Sequence, residues 1–186
     1  MEEPLKLIIF GRQGSGKGTQ CGYLLEKLGL VHLSTGDILR DNIERGTELG
    51  KLVEPILASG QLVDDETILK LVDSKLSEPE IQATGFILDG FPRTLAQAQG
   101  LLEFVGPDGI DLAINLEVSV EECIERMMSR GRQDDEIEAV KKRLDLYESE
   151  TVPAIKFYES LGMVVNVAGL GTEAEVSERV IAKLNS

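Results

Sequence analysis

The sequence has few cysteines, little positive charge and no long apolar run. Its two cysteines, Cys21 and Cys123, fall on apolar faces of predicted helices, which argues against a disulfide framework or a cysteine-rich metal site. Its 19 Lys and Arg against 33 Asp and Glu give a net charge of -14, which disfavours nucleic acid and anionic membranes as partners. The N-terminal apolar run is too short for a signal peptide, and no segment reaches membrane-spanning length. These features predict a cytoplasmic protein.

Several catalytic arrangements are also missing. The single histidine, His32, lies inside a predicted strand, where a structural role is favoured over a catalytic one. No Ser–His or Cys–His pair is available for nucleophilic catalysis. The sequence contains no Asn-Lys-x-Asp run and no Asp-x-x-Gly, which disfavours a GTPase switch protein. A reaction whose nucleophile is already ionised would need no general base.

A glycine-rich stretch, residues 11–19, stands between a short apolar run and a helical pattern. Such a turn places backbone N–H groups at the positive end of a helix dipole, which favours a phosphate. The spacing Gly11-x4-Gly16-Lys17 fits a phosphate-binding loop, although Gly18 stands where Ser or Thr is usual and Thr19 follows it. The alternatives are a tight turn with a solvated lysine and a dinucleotide-binding turn, and the glycine and lysine spacing disfavours both.

Short apolar runs alternate with helical stretches along the whole chain. This alternation predicts one α/β domain, residues 1–186, with a five-stranded parallel sheet and helices on both faces. The predicted strands are residues 5–10, 31–34, 86–88, 112–116 and 164–167. Between the second and third strands, residues 34–63 are helical and polar, and we expect Gly36, Gly46, Gly50 and Gly60 to interrupt the helices there.

Three charged stretches follow predicted strands or separate predicted helices: residues 34–40, 89–93 and 130–135. Ligands bind at the carboxyl ends of parallel strands, so the arginines of these stretches could gather around one site. Each stretch has a simpler reading as well, namely a helix cap, a turn or a solvated surface. The arginines near these stretches suit a polyphosphate, because a guanidinium group matches phosphate geometry.

Taken together, the motifs closely resemble those of the adenylate kinases, which are phosphate-loop nucleoside monophosphate kinases. The matching segments are residues 14–20, 34–40, 60–63, 89–94 with Gln97, 130–135 and 142–144, in the family order and over nearly the whole chain. The resemblance implies reversible, Mg-dependent transfer of a phosphoryl group from ATP to AMP, giving two ADP and serving adenine nucleotide homeostasis. It also implies a monomer.

The resemblance further implies roles for individual residues. The ATP site would comprise Gly14, Ser15, Gly16, Lys17, Gly18, Thr19, Arg130 and the backbone of Gly171. The AMP site would comprise Thr35, Gly36, Arg40, Gln61, Leu62, Val63, Gly90, Phe91, Pro92, Arg93, Gln97, Arg132 and Arg143. The catalytic groups would be Lys17, Arg93, Arg130, Arg132 and Arg143, and Asp89 would contact Mg²⁺ through water. Gln97 also has a structural reading, as the capping-box partner of Thr94.

The chain departs from the family pattern at two places. Gln13, preceded by Arg12, stands where the family usually has proline, and this arginine could add a phosphate contact. The lid is short, about residues 129–135, so the chain resembles the short-lid form and is expected to hold no zinc. Residues 34–63 would form the monophosphate-binding segment.

Three other functions compete with this one. They are a kinase for another monophosphate such as UMP or CMP, a nucleotide-binding regulator without catalysis, and a pyridine-nucleotide oxidoreductase. The resemblance of Thr35, Gln97 and residues 61–63 to the adenine-reading version favours AMP. The number of arginines disfavours a regulator, and Lys17 disfavours the oxidoreductase.

Overall fold

The computed structural model describes residues 4–130 and 136–185, and of Arg130 it describes only the backbone. Five parallel strands form one sheet in the order β2-β3-β1-β4-β5. The strands are β1 (Lys6–Gly11), β2 (Val31–Ser34), β3 (Phe86–Asp89), β4 (Leu112–Glu117) and β5 (Val164–Ala168). The predicted fold class is confirmed, and each strand lies within one residue of its predicted limits.

Helices connect the strands and cover both faces of the sheet. They are α1 (Lys17–Leu28), α2 (Thr35–Glu44), α3 (Glu48–Ala58), α4 (Asp65–Leu76), α5 (Pro79–Thr84), α6 (Leu95–Val105), α7 (Val120–Arg130), α8 (Ile137–Leu146), α9 (Val152–Ser160) and α10 (Glu173–Leu184). A π-helical turn, Tyr147–Thr151, joins α8 to α9. Within the described ranges, no helix has both the length and the apolar character needed to cross a membrane.

The central strand β1 divides its side chains between two cores, because successive residues of a strand point to opposite faces. Ile8 and Phe10 join one cluster together with Tyr158. Leu7 and Ile9 join the other, on the face covered by α1 and α10. Burial on both faces explains why β1 reads as a continuous apolar run instead of an alternating one. It also fixes the glycine-rich loop, which follows β1 directly.

The strand order reverses at β1: β2 and β3 lie on one side of it, and β4 and β5 lie on the other. From β1 the chain passes to β2 at one edge of the sheet and returns through β3, and it then crosses to β4 and β5 on the other side. In parallel sheets a ligand binds outside the carboxyl ends of the strands at such a switch point. The loops after β1, β2 and β3 all reach this edge.

Residues 34–63 form α2, α3 and a short extended stretch before α4. Gly46 and Gly60 end helices with φ of 63° and 73°, as expected. The expected breaks at Gly36 and Gly50 are wrong, because both residues lie inside helices. A Cβ at Gly50 would lie 2.1 Å from the Asn42 carbonyl oxygen, so this glycine permits close packing of α3 on α2. The predicted lid, residues 129–135, falls largely outside the described residues.

Candidate active site

The loop between β1 and α1 has the backbone geometry of an anion-binding turn. Gly14 and Gly16 adopt φ of 85° and 95°, in the left-handed region that favours glycine. A Cβ on Gly14 would lie 2.4 Å from the carbonyl oxygen of Cys123, so α7 packs directly against the loop. Gly16 precedes α1 without a side-chain cap, so no side chain of its own covers the first N–H groups of the helix. These groups are available to phosphate oxygens.

Lys17 lies across this loop. Its ammonium donates hydrogen bonds to the carbonyl oxygens of Gly11, at 2.8 Å, and Arg12, at 3.0 Å. Burial lowers the pKa of Lys17, and the neighbouring Asp89 carboxylate opposes that shift. Both acceptors are neutral carbonyls, so a phosphate oxygen would form a stronger, charge-assisted bond with the ammonium.

Asp89 ends β3 beside the loop. Its Oδ2 lies 3.3 Å from Nε2 of His32. Burial acts to raise the pKa of Asp89, but the hydrogen bond to His32 and the charges of Lys17 and Arg93 outweigh it, so the pKa is lowered and the carboxylate stays ionised. A carboxylate is the ligand type that Mg²⁺ prefers. The Cys21 thiol also lies near, with all three potential ligand atoms within 4.8 Å, but sulfur and imidazole suit softer ions than Mg²⁺.

The turn after β3 presents Arg93. Its Nε donates to the Gly90 carbonyl oxygen at 2.7 Å, and the same oxygen accepts the Thr35 hydroxyl at 2.9 Å. Gly90 adopts φ of 76°, and the Phe91–Pro92 peptide is cis. Burial lowers the pKa of Arg93. The guanidinium still carries its positive charge, because arginine is not deprotonated in proteins. The turn therefore holds a half-buried cation beside the start of α2.

Gln97 makes three hydrogen bonds at the start of α6. Its backbone N–H donates to the Thr94 hydroxyl, as a helix cap requires. Its side chain does not complete the capping box, because Oε1 accepts from the Arg93 N–H at 2.7 Å and Nε2 donates to Asp65 at 2.8 Å. Asp65 also accepts the Thr94 hydroxyl. The Gln97 amide thus orients the backbone of Arg93, and Asp65, which sequence reasoning missed, orients the amide.

Arg40 and Arg143 approach the same site from opposite helices. Arg40 lies on α2 and pairs with Asp37 at 2.5 Å. Arg143 lies on α8 and donates to the Leu57 carbonyl oxygen of α3 at 3.1 Å. A Cβ on Gly60 would lie 2.6 Å from the Ala139 carbonyl oxygen, so α8 packs closely against the end of the 34–63 segment.

These groups surround a cavity of about 760 Å³. The predicted site residues that line it are Gly14, Ser15, Gly16, Lys17, Gly18, Thr19, Gly36, Arg40, Leu62, Asp89, Gly90, Phe91, Pro92, Arg93, Arg143 and Gly171. A cavity of about 50 Å³ shares Arg40, Leu62 and Arg93 with it and is lined also by Thr35, Gln61, Val63 and Gln97. The structure therefore brings together every predicted site residue whose side chain it describes. Arg130 and Arg132 lie outside the described side chains.

Arg126 also lines the large cavity and was missed at the sequence level. On α7 it pairs with Glu122 at 2.7 Å, and it donates to the carbonyl oxygens of Ser15 at 3.3 Å and Gly169 at 3.5 Å. It therefore joins the phosphate loop to the segment after β5. Its position one helical turn before Arg130 is a signal in the sequence that could have identified it.

A phosphate loop that faces the same cavity as Arg40, Arg93 and Arg143 defines a phosphotransferase that holds two phosphorylated substrates. The profile of the adenylate kinase family matches residues 9–163. Adenylate kinases of Stenotrophomonas maltophilia and Thermus thermophilus are 42% and 44% identical over 98% and 96% of this chain and 100% and 96% of their own. That of Parabacteroides distasonis is 40% identical over 98% of both chains.

The chain belongs to the adenylate kinase family. It is an enzyme that transfers a phosphoryl group reversibly from ATP to AMP, giving two ADP. Its substrates are therefore ATP, AMP and ADP, and enzymes of this family generally work on Mg-nucleotides. The resemblance predicted from the motifs is confirmed.

Proposed function

We propose that ATP and AMP occupy opposite ends of the 760 Å³ cavity, with the γ-phosphate of ATP between them. The observation that carries this proposal is that cations from three separate segments line this one cavity. Lys17 follows the phosphate loop, Arg40 lies on α2, and Arg93 lies in the turn after β3. In a chain of net charge -14, this local concentration of positive charge is what two anionic reactants require.

In the proposed reaction an α-phosphate oxygen of AMP attacks the γ-phosphorus of ATP. The new P–O bond forms as the bond from the γ-phosphorus to the β,γ-bridging oxygen breaks, and both products are ADP. The attacking oxygen is already ionised, so no side chain needs to remove a proton. Catalysis then consists of alignment and charge stabilisation, to which Lys17 and Arg143 contribute, together with Arg130 and Arg132 of the lid.

The remaining assignments follow the same division of the cavity. Residues 14–19 would hold the ATP phosphates and the Gly171 backbone would contact adenine. Arg40 and Arg93 would orient the AMP phosphate, and Gly36 and residues 90–92 would shape its pocket. Thr35, residues 61–63 and Gln97 would read the AMP base, and their place around the smaller cavity supports this assignment.

Asp89 fits a role beside a magnesium ion. Its carboxylate is ionised and faces the phosphate loop. A Cβ on Gly18 would lie 3.9 Å from Oδ2, so the absence of a side chain at Gly18 leaves room between Asp89 and the start of α1. When bound, Mg²⁺ neutralises charge on the β- and γ-phosphates. We propose that Asp89 contacts it through water.

Two segments would close over the nucleotides and exclude water, the 34–63 segment and the lid at 129–135. The contact between Arg143 and Leu57 supports coupling of the first segment to α8. We also propose that the enzyme acts as a monomer, because residues of one chain line the whole cavity. We propose the cytoplasm as its location, as the sequence predicts.

The acceptor can be tested directly. Purified protein incubated with Mg-ATP and each of AMP, UMP, CMP and GMP should form ADP rapidly only with AMP. Faster turnover with UMP or CMP would contradict the proposed reading of the AMP base, although not the assignment of the phosphate loop. Omitting magnesium and restoring it should abolish and recover the activity.

Replacing Arg126 with alanine should raise KM for ATP about tenfold and change KM for AMP less than twofold. Its guanidinium lies between the Ser15 and Gly169 carbonyls, at the end of the cavity assigned to adenine, where its planar face can stack on a base. Glu122→Gln removes its partner and keeps the arginine, so it should produce a smaller change of the same kind. An equal rise in both KM values would contradict the assignment.

A further inference from the structure

Arg12 belongs to the phosphate loop, yet its side chain points away from the 760 Å³ cavity. Its Nε and Nη2 donate to Glu148 Oε1 at 3.1 and 2.5 Å, and its Nη1 donates to the Val118 carbonyl oxygen at 3.2 Å. Its Cζ lies 5.2 Å from the centre of the Tyr147 ring. It lines a separate cavity of about 390 Å³. The expected phosphate contact from Arg12 is therefore wrong, because Glu148, far away in the sequence, directs the guanidinium elsewhere.

Two of the partners of Arg12, Tyr147 and Glu148, belong to the π-helical turn between α8 and α9. At its start, the Tyr147 N–H donates to the Arg143 carbonyl oxygen. At its end, the Thr151 hydroxyl donates to the Arg93 carbonyl oxygen at 3.0 Å. A π-turn inserts an extra residue into a helix, and such insertions are frequent at functional sites. This turn thus contacts the phosphate loop, the Arg93 turn and the helix that carries Arg143.

The backbone of Arg12 completes the connection. Its carbonyl oxygen accepts from the Lys17 ammonium and from the Ser15 N–H, both at 3.0 Å. One residue therefore links the phosphate-loop lysine to the turn that follows Arg143. The pair with Glu148 is half exposed, with 27% and 53% of the two side chains accessible, and pairs so exposed add little stability. The pair therefore adds little to the free energy of unfolding, and its effect is to hold the phosphate loop and the π-helical turn in fixed positions relative to each other.

We infer that Arg12 is a positioning residue that fixes Arg143 relative to the phosphate loop through Tyr147 and Glu148. The inference rests on the proposed role of Arg143 in phosphoryl transfer. Arg143 lies one turn before Tyr147, so a change in the twist of the π-turn rotates its guanidinium about the helix axis. A displacement of about 1 Å at a reacting group can cost about 100-fold in rate. Arg12 also restrains a loop that carries Gln13 in place of proline.

A double-mutant cycle tests the inference. Single-turnover rates of ADP formation would be measured for wild type, Arg12→Ala, Arg143→Ala and the double variant, because single turnover separates chemistry from product release. Arg12→Ala should lower the rate about tenfold and change KM for ATP less than twofold. In the Arg143→Ala background the same substitution should have less than about a twofold effect. If the rate loss of the double variant equals the product of the losses of the two single variants, the two residues act independently and the inference is overturned.

Two further variants separate positioning from simple loss of structure. Arg12→Glu combined with Glu148→Arg should recover only part of the rate that Arg12→Glu alone loses, because the reversed pair restores the ion pair but not the bond to the Val118 carbonyl or the contact with the Tyr147 ring. Lys70→Ala, which removes an exposed pair with Glu66 on α4, should leave the rate unchanged. A rise in KM for ATP as the main effect of Arg12→Ala would place its action on the loop alone and overturn the inference. A wild-type rate for Arg143→Ala would instead refute the proposed role of Arg143.

Discussion

Replacing Lys17 with methionine should lower the rate of phosphoryl transfer by about 100- to 1000-fold, the range found when one preorganised donor is lost. The side chain lies across the phosphate loop, and its ammonium bonds to the carbonyls of Gly11 and Arg12. Methionine keeps an unbranched apolar stem of similar length, so the loop should keep its shape. A coupled assay of ADP formation at saturating ATP and AMP measures the loss.

The same substitution should not destabilise the fold. Burial lowers the pKa of Lys17, so the folded protein disfavours the charged form relative to water, and removing that charge removes a cost. Loss of the hydrogen bonds to the Gly11 and Arg12 carbonyls opposes this gain, so the melting temperature of Lys17→Met should stay close to that of wild type. Lys27→Met is a matched control, because Lys27 is exposed in the last turn of the same helix. A wild-type rate for Lys17→Met, or an equal loss in Lys27→Met, would contradict the assigned role.

The sequence was sufficient to predict features encoded over a few residues. Strand β3, Phe86–Asp89, follows from three apolar residues and an aspartate at its carboxyl end. The phosphate loop follows from glycine spacing, because each left-handed position needs glycine whatever the rest of the fold does. Gly36 and Gly50 show the limit of such reasoning. Gly50 serves the contact of α3 with Asn42, and no local pattern distinguishes a glycine needed for close packing from one that ends a helix.

The partners of the site residues could not be predicted, because they depend on contacts between distant segments. Local spacing paired the Gln97 side chain with Thr94, whereas its amide donates to Asp65, 32 residues away. Charge alone suggested that Arg12 faces a phosphate, whereas its partner Glu148 is 136 residues away. In both cases tertiary packing sets the direction of the side chain.

Replacing Arg93 with alanine should lower kcat/KM for AMP by about 100- to 1000-fold and leave KM for ATP within about twofold of wild type. Arg93 is held at the carboxyl end of β3 by its bond to the Gly90 carbonyl, so it reaches the proposed AMP phosphate in a fixed direction. The backbone N–H of residue 93 still donates to Gln97 after the substitution, so the start of α6 is kept. Initial rates with each nucleotide varied in turn measure the two effects separately.

Arg93→Lys distinguishes charge from geometry at this position. Lysine keeps the positive charge but lacks the planar fork, so it should recover only about tenfold of the loss if Arg93 binds the AMP phosphate through two parallel bonds. Full recovery would mean that charge alone suffices there. A loss expressed chiefly in KM for ATP would place Arg93 on the donor side, because its charge also acts on Asp89 beside the phosphate loop. The internal comparison of the two KM values therefore decides which nucleotide this arginine contacts.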